Sequence, residues 1–151
     1  MIKQTDKRLN AKIQVFGCWV MAHARMISAE WTPAEVEALY EAALKAGFID
    51  ENCTGLKVQE FLALAAQIKK VTPIRQRGGL DHEQKDPNKK AWGANMGSLG
   101  IKFVVVKWST QSKHFHFTLH TPKGEIYDPS DPFEANYTLH KMQRVSEQYY
   151  G

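Results

Sequence analysis

Apolar residues in the first half of the chain recur at the three- and four-residue intervals of amphipathic helices. Three helices are predicted on this spacing, over residues 18 to about 30, 33 to 47 and 58 towards 73. The second begins with a capping box, Thr32-Pro33-Ala34-Glu35, which carries proline at the first helical position, and Gly47 ends it. The N-terminal half is therefore predicted to be helical.

The pattern changes beyond residue 74. Residues 74–100 combine Gly, Pro, Asn and charged side chains with few large apolar ones, which predicts a long loop. Apolar and polar residues then alternate, and strands are predicted over 101–108, 114–120, 125–127 and 141–150. Helices followed by an antiparallel sheet indicate an α+β fold, and a length of 151 residues suits a single domain over 1–151.

Composition narrows the class of protein. The segment 1–12 is charged and lacks the apolar core of a signal peptide, and the apolar run 15–24 is too short to span a bilayer. We therefore expect a soluble, cytoplasmic protein without a membrane partner. The chain has two cysteines and no metal-binding motif that uses them, so both are expected to be free thiols in a reducing compartment.

Cys18 has the more informative setting of the two cysteines. A lone cysteine is most often a small buried residue, and Cys53, which follows Asn52, is interpreted that way. Cys18 instead follows Gly17, which lets a substrate approach the backbone, and it lies at a predicted helix N-terminus, where the peptide dipoles favour a thiolate. Gln14, one helical turn earlier, offers an amide donor for an oxyanion. Cys18 is therefore the candidate nucleophile.

The predicted strand 114–120 carries the candidate bases. In strict alternation its histidines share one face, and the other face is predicted to be buried, namely Phe115, Phe117 and Leu119. If Gly124 closes a tight hairpin turn in the left-handed conformation, His116 lies opposite Asp128. The carboxylate would then orient the ring for proton transfer from the thiol, with His114 as the alternative base. No C-x-x-C motif is present, and no metal or cofactor is expected.

The order of these residues resembles a known family. A Gln-x-x-Gly-Cys motif, a helical region, a His-Phe strand, a short turn and Tyr127-Asp128-Pro129 are similar to the papain-like cysteine peptidases. The similarity is strongest to the small C39-like single-domain proteins of phage and bacterial genomes, and it covers most of residues 10–132. The resemblance implies N-terminal helices packed on a C-terminal antiparallel sheet. It also implies a role for each site residue: Cys18 as nucleophile, His114 or His116 as base, Asp128 as orienting acid and Gln14 as oxyanion donor.

The leading hypothesis is a cysteine hydrolase that cleaves a peptide, isopeptide or related amide bond without a cofactor. Its partner would be a peptide or protein substrate, and the oligomeric state stays open. One alternative is a binding module that keeps a papain-like scaffold but has no activity. Another is nucleic-acid binding through the basic segment 69–92, with Lys69, Lys70, Arg75, Arg77, Lys89, Lys90 and Trp92.

Overall fold

The computed structural model describes residues 1–81, 100–109, 115–130 and 143–151. These residues form four helices and five strands of an α+β fold. The helices are α1 (Ala11–Phe16), α2 (Cys18–Ile27), α3 (Pro33–Ala46) and α4 (Val58–Lys69). The strands are β1 (Gln76–Asp81), β2 (Phe103–Ser109), β3 (Phe115–His120), β4 (Ile126–Tyr127) and β5 (Gln143–Tyr150).

The helix α1 was not predicted as a separate element. Asn10 caps it, because its side-chain oxygen accepts a hydrogen bond of 3.0 Å from the Ile13 N–H. Gly17 separates α1 from α2, and a Cβ atom at this position would lie 2.4 Å from the Ile13 carbonyl oxygen. The helix predicted from Cys18 does begin there, although it ends at Ile27 rather than near residue 30.

The other two helices follow the sequence prediction closely. The Thr32 hydroxyl accepts from the Glu35 N–H and the Glu35 carboxylate accepts from the Thr32 N–H, so the capping box is present. Gly47 ends α3 with φ of 77°. The helix α4 ends at Lys69, before Pro73, because Lys70 takes the left-handed conformation with φ of 57°.

The five strands form one antiparallel sheet in the order β1-β5-β2-β3-β4. The predicted C-terminal strand is confirmed as β5, which lies inside the sheet between β1 and β2. The prediction of a continuous loop over 74–100 was wrong at its start, since β1 pairs with β5. The rest of that predicted loop, 82–99, lies outside the described residues. The sheet therefore joins segments that are distant in sequence.

The helices pack on one side of the sheet. Ala22 and Met26 of α2 form an apolar cluster with Val105, Leu119 and Tyr150. The opposite side is buried as well, and the prediction that Phe115 is buried was wrong. His116, Thr118 and His120 are buried there, whereas Phe115 is 54% exposed. In the described part of the chain, no helix has both the length and the apolar character that crossing a membrane requires.

Candidate active site

Cys18 is the first residue of α2, so its thiol lies at the N-terminus of a ten-residue helix. The side chain is largely buried, with 9% of the residue exposed. The helical hydrogen bonding of α2 starts at Gly17, whose carbonyl oxygen accepts from the Met21 N–H at 2.8 Å. The first N–H groups of a helix have no partner within it, so this end is electropositive and can bind an anion.

His116 and Asp128 form a buried hydrogen-bonded pair. Their atoms Nε2 and Oδ1 are 2.8 Å apart, and the residues are 4% and 5% exposed. The hairpin between β3 and β4 produces this contact, since Leu119 pairs with Tyr127 and Gly124 has a positive φ of 91°. The tight turn at Gly124, from which His116 and Asp128 were predicted to be neighbours, is thus present.

The ring of His116 also interacts with the Cys18 thiol, and the two partners together decide its charge. Burial on its own would lower the pKa of His116. Burial is the largest single influence, but the hydrogen bonds and charge interactions with Asp128 and Cys18 together outweigh it. The pKa rises to about 9 as a result. His116 is therefore an imidazolium at neutral pH, between a sulfur and a carboxylate.

Asp128 is held by several further contacts. Its Oδ1 atom also accepts from the Ser130 N–H at 2.9 Å, and its backbone carbonyl accepts from the Lys3 ammonium. The neighbouring Pro129 carbonyl accepts from the Gln4 N–H at 2.9 Å. Oδ2 is buried and has no hydrogen-bond partner among the described residues. Lys3 and Gln4 thus support the segment of Asp128, which no local sequence signal indicated, because the contact of Lys3 spans 125 positions.

The side-chain amide of Gln14, which was predicted to donate to an oxyanion, donates to a backbone carbonyl of the protein. Its side-chain Nε2 donates to the Leu9 carbonyl at 2.6 Å, within the turn that precedes α1. Its backbone carbonyl accepts from the side-chain Nε2 of Gln4 at 3.2 Å. Gln4 was not singled out from the sequence, although it contacts both the Gln14 carbonyl and the strand end beside Asp128.

The structure describes only part of the basic segment 69–92. His114 lies outside the described residues, as do Lys89, Lys90 and Trp92. Lys69 is described, and it forms a salt bridge of 3.0 Å with Glu35 while its ammonium lies 5.2 Å from the centre of the Trp31 ring. The charge of Lys69 is therefore compensated within the helical layer.

Cys53 differs from Cys18 in its surroundings. It is 1% exposed in the helical core, as predicted, and both cysteines are free thiols. Burial raises the pKa of the Cys53 thiol to about 12, and electrostatic interactions with Cys18 and Asp50 contribute to the increase. Within the described part of the chain, none of the groups that influence this thiol is an imidazole. At neutral pH Cys53 is a protonated, shielded thiol.

A cavity of about 240 Å³ lies on the helix side of the sheet. The residues that follow Cys18 and His116 in sequence, Trp19 and Phe117, both contribute to its wall. The Trp19 ring stacks on His23 at a centroid distance of 4.0 Å, and His23 hydrogen-bonds to Tyr150. Burial lowers the pKa of His23 to about 4, so this ring is neutral at physiological pH.

The described residues contain no group of three or more His, Cys, Asp or Glu side chains arranged to hold a metal ion. No protein-family model, curated protein or solved structure matches this chain.

Proposed function

We propose that the protein is a cysteine hydrolase of papain-like type, which cleaves a peptide, isopeptide or related amide bond. The observation that carries the proposal is the position of His116, whose buried ring interacts with the Cys18 thiol and donates a 2.8 Å hydrogen bond to Asp128. A nucleophile, a base and an orienting acid in this relation form the minimal apparatus of covalent acyl transfer.

The proposed chemistry has two stages. The thiolate of Cys18 attacks the amide carbonyl, a carbon–sulfur bond forms, and the oxygen takes the negative charge at the N-terminus of α2. The imidazolium of His116 then gives its proton to the leaving amine as the carbon–nitrogen bond breaks. In the second stage the neutral ring takes a proton from water, whose oxygen attacks the thioester carbonyl. The carbon–sulfur bond then breaks, which releases the carboxylic acid and restores the thiolate of Cys18 beside the imidazolium.

Each ring nitrogen of His116 has a separate task in this scheme. Nε2–H stays on Asp128, which fixes the orientation of the ring and stabilises its positive charge. Proton exchange with the thiol and the leaving group is assigned to Nδ1. The backbone N–H of Cys18 is assigned as an oxyanion donor, since it belongs to the first turn of α2. Gln14 keeps its predicted role as a second oxyanion donor, since its amide nitrogen carries two hydrogens and the bond to Leu9 uses one of them.

Several features support papain-like type within the wider class of thiol hydrolases. The nucleophile starts a helix of the N-terminal half, the base lies on a strand of the C-terminal sheet, and the acid follows the next strand. The sheet is antiparallel and the helices cover one side of it. These features agree in order and placement with the resemblance in the residues.

The proposal is tested with Cys18→Ala, and Cys53→Ala serves as the matched control. p-Nitrophenyl acetate should acylate the wild-type protein in a burst of one equivalent and release nitrophenolate. Cys18→Ala should lose the burst, and it should also lose cleavage of any amide found in a fluorogenic peptide library. Cys53→Ala should retain both. Amide cleavage by Cys18→Ala would refute the proposal, and the absence of a burst from wild-type protein would favour the inactive binding module.

A further inference from the structure

The boundary between α1 and α2 determines which backbone groups surround the nucleophile. In a continuous helix the N–H of Cys18 would donate to the carbonyl of residue 14, four positions earlier. The helix is not continuous here, because α1 ends at Phe16 and α2 begins at Cys18. The Gln14 carbonyl instead accepts a hydrogen bond from the side chain of Gln4.

We infer that Gln4 is a positioning residue of this site, whose amide holds the Gln14 carbonyl and so leaves the Cys18 N–H for the oxyanion. The inference rests on the proposed function for its catalytic meaning. A carbonyl oxygen only accepts hydrogen bonds, so the Gln4 nitrogen must be the atom that faces it. Gln4 therefore takes the place of the Cys18 N–H as the donor to this carbonyl.

The burial of Gln4 supports a specific role. The residue is 5% exposed, and its Oε1 atom is buried without a hydrogen-bond partner among the described residues. An unpaired buried amide oxygen is unfavourable for folding, and an apolar side chain of the same shape would avoid that penalty. A glutamine is therefore needed at this position because its Nε2 donates a hydrogen bond.

Gln4 also connects the two halves of the site. Its backbone N–H donates to the Pro129 carbonyl at 2.9 Å, next to the acid Asp128. Its side chain reaches the turn of α1 that precedes Cys18. One residue thus connects the segment after β4 with α1, the helix that precedes Cys18. A substitution of its side chain removes only the second connection, since the first uses the backbone.

The experiment compares two reactions of the Cys18 thiol. Acylation by p-nitrophenyl acetate passes through an oxyanion, because sulfur adds to the carbonyl before nitrophenolate leaves. Alkylation by iodoacetamide forms a carbon–sulfur bond as iodide leaves, and no oxyanion arises. Gln4→Met should lower the acylation rate by about tenfold or more relative to the alkylation rate, since oxyanion donors act on the first reaction alone. Gln67→Met, at an exposed position of α4, is the control and should leave the ratio unchanged.

Amide hydrogen exchange supplies a readout that does not depend on activity. In the wild type the Cys18 N–H should exchange faster than the Met21 N–H, which is bonded to Gly17. In Gln4→Met and in Gln4→Glu, whose carboxylate has no hydrogen to donate, protection of the Cys18 N–H should increase. An unchanged rate ratio in an active protein, or equal protection of the two N–H groups in the wild type, would overturn the inference. If the wild type shows no acylation burst, the proposed function fails, while the exchange measurement still tests the position of Gln4.

Discussion

At the scale of the residue, His116 is subject to opposing influences that decide its charge. Burial favours the neutral ring, whereas Asp128 and Cys18 favour the imidazolium and raise the pKa to about 9. The sequence could predict that His116 and Asp128 are neighbours, because a tight turn at Gly124 sets the register of adjoining residues. It could not predict the size of either effect, since burial of the pair depends on the whole sheet.

Substitutions of Asp128 should separate its two effects on His116, namely the orientation of the ring and the stabilisation of its positive charge. Asp128→Asn retains an acceptor for Nε2–H but loses the negative charge, so the pKa of His116 should fall below about 9. The ring then loses its proton at a lower pH than in the wild type. The decline of the acylation rate on the alkaline side should therefore shift to lower pH by the same amount. Asp128→Ala loses the acceptor as well and should reduce the rate on the order of a hundredfold.

The pH dependence of p-nitrophenyl acetate acylation and an NMR titration of the His116 ring check this prediction together. Ser130→Ala is a suitable control, because its contact with Asp128 uses the backbone N–H and survives the change. An alkaline limb that stays in place in Asp128→Asn would show that the carboxylate does not set the charge of the ring.

At the scale of the element, the first turn of α2 packs against α4 and against the loop that contains Gly55. Trp19, the residue after Cys18, stacks on His23 and meets Phe61 of α4 edge-on at 4.9 Å. Gly55 lies against the same indole ring, and a Cβ atom there would be 2.2 Å from it. The periodicity of Val58 and Phe61 predicted α4, but the packing of Gly55 on Trp19 was not predictable, because it joins a loop to another helix.

Gly55→Ala should therefore displace the Trp19 ring. Forcing an atom into this contact should lower the free energy of unfolding by about 1–3 kcal/mol and alter tryptophan fluorescence. Gly47→Ala is the matched control, with a positive φ of 77° and no atom within 4 Å of the added Cβ. It should cost about 1 kcal/mol of backbone strain and leave the fluorescence unchanged. Urea titrations measure the free energy of unfolding of both variants, and fluorescence spectra report on Trp19. Identical tryptophan fluorescence of the two folded variants would contradict the packing role of Gly55.

At the scale of the whole molecule, buried histidines act on stability in opposite directions. Burial lowers the pKa of His23 to about 4, and burial together with the positive charge of Arg144 lowers that of His120 to about 4. Both rings are neutral in the folded state at neutral pH. Their contribution to the free energy of unfolding is therefore complete above about pH 6.5 and is lost as the pH falls towards 4. The pKa of His116 is raised, so its contribution is complete below about pH 6.5 and is lost as the pH rises through about 9.

The free energy of unfolding should therefore be greatest near pH 6.5 and decrease on both sides. Each histidine contributes a slope of at most about 1.4 kcal/mol per pH unit. Urea unfolding between pH 5 and 9 measures the profile. His23→Gln and His120→Gln should each flatten the acid side, and His116→Gln should flatten the alkaline side. A variant that lowers stability equally at every pH would contradict the assigned proton linkage for that histidine.

The sequence by itself determined the elements whose signals are local. The caps at Thr32 and Gly47, the apolar spacing of α4 and the hairpin turn at Gly124 all act within a few residues, so they could be recognised one at a time. The same locality placed Cys18 at a helix start and His116 beside Asp128.

Only the tertiary structure decided how these pieces meet. It brought the Cys18 thiol to His116, inserted β5 between β1 and β2, covered the polar face of β3 and placed Gln4 between Gln14 and Pro129. The hydrogen bond of Lys3 to the carbonyl of Asp128 spans 125 positions and has no local signature. Contacts of this kind arise from the burial of entire surfaces, and a pattern read over a few residues carries no information about which distant surface will cover it.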